Sequence, residues 1–328
     1  LKKATSKFDF EEIDKISQVT KKDYLDFHIE QILKIPYVNI NAIKEKKIKV
    51  VVDAVNSVGG IAVPKLLNAL GVETVFELYC EPNGKFAHNP EPLPEHISAL
   101  SSEVKQRKAD LGIAVDPDVD RLALVDEKGT PFGEEYTLVA VADYVLQHKK
   151  GNTVSNLSST KALRDISQKH GVQYNASAVG EVNVVEKMKE TNAVIGGEGN
   201  GGIILPELHY GRDALVGIAL FLSHLATTKK SVHAIRAQYP NYVISKNKIQ
   251  LEDSMNLQDI IEKVKDKYKQ YPHNTIDGLR IDIDDDWVHL RGSNTEPIIR
   301  IYAESSTEQT ANAIAQKMMK DITAILKA

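Results

Sequence analysis

The sequence LGIAVDPDVDRLALVD, residues 111–126, combines a strand signal with a cluster of carboxylates. An apolar run, Leu111–Val115, stops at three aspartates spaced two residues apart, Asp116, Asp118 and Asp120, before a second apolar run begins. A short apolar run bounded by turn residues predicts a buried strand. The aspartates therefore follow the end of a strand, which is the usual place for a site in an open α/β sheet.

The three aspartates predict a metal centre. Side chains at alternate positions of an extended segment point the same way, and three carboxylates aimed at one point repel each other unless a cation joins them. Hard oxygen ligands in this number suit Mg²⁺, which keeps waters and shares itself with a phosphate. Arg121 adds a planar guanidinium suited to phosphate. We therefore expect Asp116, Asp118 and Asp120 to hold Mg²⁺ beside a phosphate.

A different enzyme class begins with a similar motif. An apolar strand followed by Asp-x-Asp also opens the haloacid-dehalogenase phosphatases, in which the first aspartate is a nucleophile and Thr or Val stands four residues later. This alternative would make Asp116 the nucleophile of a sugar phosphatase. Asp120 occupies the later position, and an extra carboxylate suits a metal better than the surroundings of a nucleophile.

The composition is that of a soluble globular protein. The 328 residues predict two or three domains, and 42% hydrophobic with 26% charged residues is ordinary. A net charge of −4 argues against a broad nucleic-acid surface. The single cysteine, Cys80, excludes an intrachain disulfide and fits a reducing, cytoplasmic location. Apolar runs shorter than the ~18 residues of a membrane span exclude a membrane protein.

The order of patterns predicts an α/β protein with a different C-terminal end. Strands alternate with helices over residues 36–149 and 150–250, which predicts two tandem α/β domains. Residues 251–328 combine hairpin-joined strands with flanking helices, which predicts a small α+β domain. Residues 1–35 are charged, contain no complete strand–helix unit, and look like the end of a preceding segment.

Two further loops carry polar groups suited to a ligand. In GGEGNGG, residues 196–202, Glu198 can accept hydrogen bonds from two neighbouring hydroxyls and Asn200 can donate and accept, a sugar-binding pattern. A plain flexible loop is an equally good interpretation of these glycines. In RGSNTEP, residues 291–297, donors cluster in a turn and match a phosphate dianion. These donors are Arg291, Ser293, Asn294 and Thr295, although Ser-Asn-Thr can also simply form a turn.

Two weaker candidates are better explained by structure. The turn Asn56–Gly60 could cradle a phosphate, but its glycines more simply allow a helix to pack close to a strand. His88 and Asn89 lie in the proline-rich segment 80–96, which we expect to be a rigid surface loop.

Together, the loops DPDVDR (116–121), GEGNGG (197–202) and RGSNTEP (291–297) resemble those of the α-D-phosphohexomutase family in order and spacing. The resemblance covers nearly all of residues 36–328. It implies domains two to four of a four-domain enzyme with a metal loop, a sugar loop and a phosphate loop. By this match Asp116, Asp118 and Asp120 would hold Mg²⁺, and Arg121 would lie beside a phosphoserine. Glu198 and Asn200 would bind sugar hydroxyls. The phosphate that is not transferred would be bound by Arg291, Ser293, Asn294 and Thr295.

The chain departs from the family pattern at one essential point. The family's nucleophile lies in a Ser-His-Asn-Pro type sequence of domain one, and this chain has only AHNP, with Ala87 in place of serine, in a later segment. Residues 1–35 are therefore interpreted as the remnant of domain one and a linker. Val119 replaces a glycine common in the metal loop, Asn200 stands where many members have serine, and Arg212 is an extra cation without an assigned role.

The resemblance implies an isomerase that moves phosphate between C1 and C6 of a hexose through a phosphoserine and a hexose 1,6-bisphosphate. Without the serine we expect this chain alone to be inactive. A non-catalytic sugar-phosphate-binding protein is the remaining alternative. The sugar and the oligomeric state are not readable from the sequence, although the loops together resemble the phosphoglucosamine mutase branch slightly more closely.

Overall fold

The computed structural model describes residues 20–250, 257–292 and 297–327, and these residues form three sheets with helices packed against them. Ser293, Asn294 and Thr295 lie outside the described residues. Within the described ranges no helix is both long enough and apolar enough to cross a membrane.

The first unit is a four-stranded sheet covered by helices. Its elements are α1 (Leu25–Leu33), α2 (Ile40–Lys46), β1 (Lys49–Asp53), α3 (Gly59–Leu70), β2 (Thr74–Leu78), α4 (Ser98–Arg107), β3 (Leu111–Val115), β4 (Leu122–Asp126) and α5 (Glu134–His148). The strand order is β2-β1-β3-β4, with three parallel strands and an antiparallel β4 at the edge. The acidic loop is therefore the connection of the β3–β4 hairpin.

The second unit repeats this plan. Its elements are β5 (Thr153–Asn156), α6 (Ala162–Lys169), β6 (Tyr174–Ser177), α7 (Glu181–Thr191), β7 (Ile195–Glu198), β8 (Gly202–Ile204), α8 (Ala214–Thr227) and α9 (Val232–Arg236). The order β6-β5-β7-β8 again ends in an antiparallel hairpin. The acidic loop and the glycine-rich segment thus occupy equivalent positions of the two units.

The third unit is an antiparallel sheet backed by two helices. Its elements are β9 (Val243–Gln250), α10 (Leu257–Lys267), β10 (His273–Asn274), β11 (Leu279–Ile283), β12 (Asp286–Gly292), β13 (Ile298–Ser305) and α11 (Glu308–Lys327). The order is β10-β11-β12-β13-β9. Two tandem α/β units and a small α+β unit confirm the predicted fold class.

The first two units share one hydrophobic core. A continuous cluster of buried side chains runs from Ile29 to Tyr239 and includes residues of α5 and α8. Helix α8 is almost entirely buried, and Asp213 begins it by accepting a hydrogen bond from the Val216 N–H at 3.0 Å. A separate cluster, from Ile260 to Ile322, forms the core of the third unit.

Several details differ from the sequence-based expectations. Gly196, Gly197 and Gly202 of the expected loop belong to β7 and β8, so the segment is a tight hairpin. Strand β9, expected to end the second α/β domain, pairs with β13 in the third sheet because alternation alone does not identify the sheet that a strand joins. The short strands β6 and β10 were not predicted.

The glycines of the turn Asn56–Gly60 were expected to let a helix pack closely. Gly60, at the start of α3, does pack directly against the backbone of Cys80.

We predict that the shared core and the third unit unfold separately. Leu220→Ala, in α8, should destabilise the first two units by about 2–5 kcal/mol because it opens a cavity in their common core. Far-UV circular dichroism reports the whole chain, whereas the single tryptophan, Trp287, reports the third unit. In urea, Leu220→Ala should shift the main circular dichroism transition and leave the fluorescence transition in place.

The matched variant is Ile301→Ala in the separate cluster of the third unit. It should lower the fluorescence midpoint by a comparable amount while the main circular dichroism transition stays. If both probes shift together in both variants, the three units form one cooperative body.

Candidate active site

The acidic loop, residues 116–121, is a tight turn rather than an extended segment. Val119 has φ +62°, and Asp116 Oδ1 accepts hydrogen bonds from the backbone N–H groups of Asp120 and Arg121, each at 3.0 Å. Carboxylate oxygens of Asp116, Asp118 and Asp120 nevertheless lie within 4.8 Å of one another. The predicted convergence is present, but the turn produces it and strand alternation does not.

The electrostatics of this loop favour a cation. Burial opposes the charge of Asp116, but hydrogen bonds from Arg121 outweigh it and lower the pKa of this carboxyl. Burial and the neighbouring Asp116 carboxylate raise the pKa of Asp120 to about 7. Asp120 Oδ1 is buried without a hydrogen-bond partner. The donor set is all oxygen, and these residues therefore fit Mg²⁺.

Arg121 is held by carboxylates on two sides. Its Nε lies 2.6 Å from Asp116 Oδ2, and its Nη1 lies 3.3 Å from Glu91 Oε1. Glu91 belongs to the proline-rich segment, which therefore reaches the metal loop. His88 in the same segment lies 3.0 Å from the buried carboxylate of Asp53, a contact that fixes the segment as expected for a rigid loop.

The glycine-rich hairpin presents Glu198 and Asn200 at its tip. Glu198 is 5% exposed, and its Oε1 accepts hydrogen bonds from Asn156 Nδ2 at 2.8 Å and the Gly180 N–H at 3.1 Å. Asn200 Oδ1 accepts from the Gly202 N–H at 3.2 Å. Glu198 is thus fixed in place, while Asn200 keeps its side-chain amide donors for a ligand.

Arg212 joins the two hairpins. Its Nη1 donates to Glu198 Oε2 at 2.8 Å, and its Nη2 donates to Asp120 Oδ2. The backbone N–H of Arg212 donates to Glu181 Oε1 at 2.8 Å. A Cβ atom at Gly202 would collide with the Arg212 side chain, so this glycine leaves room for the bridge. Arg212, whose role was open from the sequence, thus links the acidic loop with the glycine-rich hairpin.

Backbone contacts bring the hairpins together in the same place. The Leu122 N–H donates to the Gly201 carbonyl at 3.0 Å, and the Ala214 N–H donates to the Val119 carbonyl at 3.0 Å. Arg121 and Gly202 form an isolated antiparallel bridge. The edges of the first two sheets therefore meet at the two candidate loops.

A pocket lies between the second and third units. Glu198 and Asn200 line one side, and Arg291 and Arg300 line the other. These two arginines are cross-strand neighbours on β12 and β13. Arg291 lies 2.8 Å from Asp277 Oδ2, which orients the guanidinium. The structure thus places the described parts of the glycine-rich hairpin and of the segment around Arg291 at one cavity.

Several pocket residues were missed by sequence reasoning. They are Asn156, Ser158, Ser159, Lys246, His289 and Tyr302. Asn156 ends β5, the neighbour of β7, and Ser158 and Ser159 follow it, so their position at a carboxyl strand end was a usable signal. The others lie inside strands of the third sheet, and only its packing reveals that they face the pocket.

A serine–histidine contact crosses the same pocket. Ser158 Oγ lies 2.9 Å from His289 Nδ1, and His289 Nε2 lies 2.7 Å from the Asp277 carbonyl. Burial lowers the pKa of His289 to about 4, so the imidazole is neutral at pH 7. A neutral ring that donates from Nε2 accepts the Ser158 hydroxyl at Nδ1, which ties the second unit to the third.

Comparison with known families identifies this arrangement as that of a phosphohexomutase. Three family models match consecutive parts of the chain: domain II of phosphoglucomutase/phosphomannomutase over residues 23–129, domain III over residues 133–242, and the C-terminal domain over residues 248–321. The chain belongs to the phosphoglucomutase/phosphomannomutase family.

Individual relatives of this chain carry the names of phosphohexomutases. A phosphoglucomutase/phosphomannomutase of Thermococcus kodakarensis is 34% identical over 96% of this chain and 69% of that protein. A phosphoglucosamine/phosphogalactosamine mutase of Sulfurisphaera tokodaii is 33% identical over 87% of this chain and 64% of that protein. The chain therefore spans about two thirds of the length of these relatives.

Among solved structures, a family protein of Burkholderia thailandensis matches with a TM-score of 0.78 and 27% identity over 93% of this chain and 65% of that chain. The N-acetylphosphoglucosamine mutase of Aspergillus fumigatus, solved with GlcNAc-6P and magnesium, matches with a TM-score of 0.60 over 92% of this chain and 64% of that chain. At 15% identity, this second likeness concerns the fold alone.

We predict that Arg212→Met strengthens Mg²⁺ binding at least about tenfold. The Arg212 guanidinium already donates a hydrogen bond to Asp120 Oδ2, so its positive charge would lie close to a bound Mg²⁺. Repulsion between two positive charges a few ångströms apart near a protein surface amounts to a few kcal/mol. Isothermal titration of the chain with Mg²⁺ measures the change. Arg212→Lys retains the charge and should change the affinity much less.

Asp118→Asn provides the control for the metal loop, because it removes one carboxylate and should weaken Mg²⁺ binding. Weaker binding in Arg212→Met, with unchanged thermal stability, would instead mean that Arg212 organises Asp120 for the ion.

Proposed function

We propose that this chain provides the metal, sugar and phosphate sites of an enzyme that moves a phosphoryl group between C1 and C6 of a hexose phosphate. The supporting observation is the pocket in which Glu198 and Asn200 face Arg291 and Arg300. A hexose phosphate carries hydroxyls and a phosphate dianion at a fixed separation, and the two sides of this pocket offer partners for each. The Arg212 bridge places the metal loop next to this pocket.

Each side chain has a role that suits its surroundings. Asp116, Asp118 and Asp120 would hold Mg²⁺, which neutralises charge on a transferring phosphoryl group when bound. Arg121, fixed by Asp116 and Glu91, would present its remaining donors to that group. Glu198 and Asn200 would bind sugar hydroxyls, and Arg291 would bind the phosphate that is not transferred. Ser293, Asn294 and Thr295 complete this phosphate site in our proposal.

Arg300 and Lys246 extend the proposed phosphate site. Arg300 pairs with Arg291 on one flank and with Lys248 on the other, and Lys246 lines the same pocket from β9. Several cations on one face of a sheet attract a dianion more strongly than one arginine alone. The motif RGSNTEP therefore supplies only part of the proposed phosphate-binding site.

The reaction that we propose proceeds through a hexose 1,6-bisphosphate. A phosphate held by the third unit would direct the opposite end of the sugar toward the acidic loop, because Arg212 connects Glu198 of the pocket with Asp120. A bisphosphate would present either end there. The phosphoryl donor would be a serine of the Ser-His-Asn-Pro type, a sequence that this chain lacks. Ala87 of AHNP lies in the rigid proline-rich segment and offers no hydroxyl.

The burial of Asp116 disfavours the phosphatase alternative. This side chain is 1% exposed, and its two oxygens accept three hydrogen bonds from Asp120 and Arg121. A nucleophilic carboxylate needs a free oxygen directed at the substrate. Asp116 instead organises the turn that carries the other carboxylates.

For the substrate we favour a hexosamine phosphate over a hexose phosphate. The resemblance of the loops points slightly to the phosphoglucosamine branch, and relatives named for phosphoglucosamine, phosphomannose and phosphoglucose all match this chain. Calorimetric titration with the 6-phosphates of glucosamine, glucose and mannose ranks them. Tighter binding of mannose 6-phosphate would reverse this preference.

We predict that Arg291→Met weakens the binding of a hexose 6-phosphate at least about tenfold, because a charge-assisted hydrogen bond to phosphate contributes about 1.5–3 kcal/mol. Lys263→Met, on the exposed face of α10, is the matched control and should bind as the parent chain does. Equal losses in both variants would show a general charge effect and contradict a phosphate site at Arg291.

We also predict that the chain alone forms no hexose 6-phosphate from hexose 1-phosphate, Mg²⁺ and a trace of 1,6-bisphosphate. The reason is the missing serine nucleophile. The intact Thermococcus kodakarensis relative is the positive control in the same coupled assay. Turnover by this chain would contradict the need for that serine.

The same assay tests the proposed function directly. A fusion of the part of that relative that this chain does not match, where we expect the serine, to this chain should gain mutase activity, and Asp118→Asn in the fusion should reduce it. A folded fusion that binds hexose phosphate but never turns over would favour a non-catalytic binding protein.

A further inference from the structure

A second group of potential metal ligands lies outside the acidic loop. His28 belongs to α1, His209 precedes α8, and Asp213 is the N-cap of α8. The Nε2 atoms of His28 and His209 lie 2.7 Å and 3.0 Å from Asp213 Oδ2. One ligand atom from each residue lies within 4.8 Å of the others. Two segments distant in sequence, α1 and the stretch from His209 to Asp213 that leads into α8, thus converge on one carboxylate oxygen.

The donor set differs in kind from that of the acidic loop. Two imidazole nitrogens and one carboxylate oxygen suit Zn²⁺ or Co²⁺, whereas Mg²⁺ prefers oxygen alone. Asp213 Oδ1 accepts the Val216 N–H, which fixes the carboxylate and directs Oδ2 toward the imidazoles. Side-chain exposures of 31% for His28 and 43% for His209 leave room for water as a further ligand.

The spacing requires only a small adjustment. Bonds of about 2.0–2.1 Å in a tetrahedral site place ligand atoms roughly 3.3 Å apart. The imidazole nitrogens approach Asp213 Oδ2 to 2.7 Å and 3.0 Å, so each ring would retreat by a few tenths of an ångström. Both rings are partly exposed and can make this movement, whereas the buried Asp213 stays fixed by its helix cap.

We propose that His28, His209 and Asp213 form a transition-metal site that binds Zn²⁺ or Co²⁺ and joins α1 to the N-terminus of α8. This site is independent of the proposed mutase reaction and of the Mg²⁺ loop. Bound metal stabilises the folded chain by mass action because the unfolded chain does not hold the three ligands together. Since Arg212 directly precedes Asp213, the ion also fixes the segment that carries the bridge between the two hairpins.

The test uses untagged protein, since a polyhistidine tag binds the same metals. Addition of Co²⁺ alone should produce visible absorption bands stronger than those of the aqueous ion, as expected for a site of low coordination number with nitrogen ligands. Titration with Zn²⁺ should abolish these bands and raise the melting temperature. His28→Gln and His209→Gln should each weaken Zn²⁺ binding at least about tenfold.

Two matched variants separate the alternatives. Asp118→Asn removes a carboxylate of the acidic loop and should leave the Co²⁺ bands intact. His273→Gln removes an exposed histidine of β10 and should also leave them intact. Bands that persist in His28→Gln, or that vanish in Asp118→Asn, would overturn the proposal.

A measurement on the unaltered chain avoids dependence on the folding of a variant. Anomalous diffraction from crystals soaked in Zn²⁺ should show a peak between the three side chains. No peak there, or a Co²⁺ spectrum identical to that of the aqueous ion, would overturn the site. Neither result depends on mutase activity, which we do not expect of this chain alone.

Discussion

Two carboxylates on neighbouring hairpins share one guanidinium, and the candidate site depends on this shared charge. Asp120 and Glu198 would repel each other across the boundary between the first two units without Arg212. The bridge exists because Gly202 has no side chain to exclude it, and because the Arg212 backbone is anchored at Glu181. Partly buried carboxylates held this way keep their positions before a ligand arrives, which reduces the cost of ordering them on binding.

The repeated architecture explains why the two loops meet. Each α/β unit ends in an antiparallel hairpin at the same edge of its sheet, and these two edges face each other. A common core through α5 and α8 holds the units in this relation. The acidic turn and the glycine-rich turn are therefore equivalent positions of one plan that carry different side chains. In our proposal, the same backbone plan presents ligands for a cation in one unit and for sugar hydroxyls in the other.

Local patterns predicted elements and loop chemistry, while contacts between distant segments escaped them. The strands β3 and β4 followed from sequence because each apolar run is a property of neighbouring residues alone. The convergence of Asp116, Asp118 and Asp120 was predicted for the wrong reason, since a left-handed Val119 turns the loop. Other features depend on packing between units, which no local pattern encodes. They are the partners of Arg212, the sheet that β9 joins, and the position of His289 in the wall of the pocket.

The boundary between the first two units and the third unit contains polar contacts, and this polarity suits the proposed reaction. Contacts across it are polar: Arg280 donates to the Leu157 carbonyl at 2.7 Å, Ser158 meets His289 at 2.9 Å, and the Lys161 N–H donates to Glu304 at 3.0 Å. Its apolar cluster is separate from the shared core. Polar boundaries of this kind permit relative motion more readily than a continuous core does. In the proposed reaction, a bisphosphate that must exchange its two ends needs a phosphate site that can release it. A third unit with its own apolar cluster would supply such a site without disturbing the hairpins that carry Asp120 and Glu198.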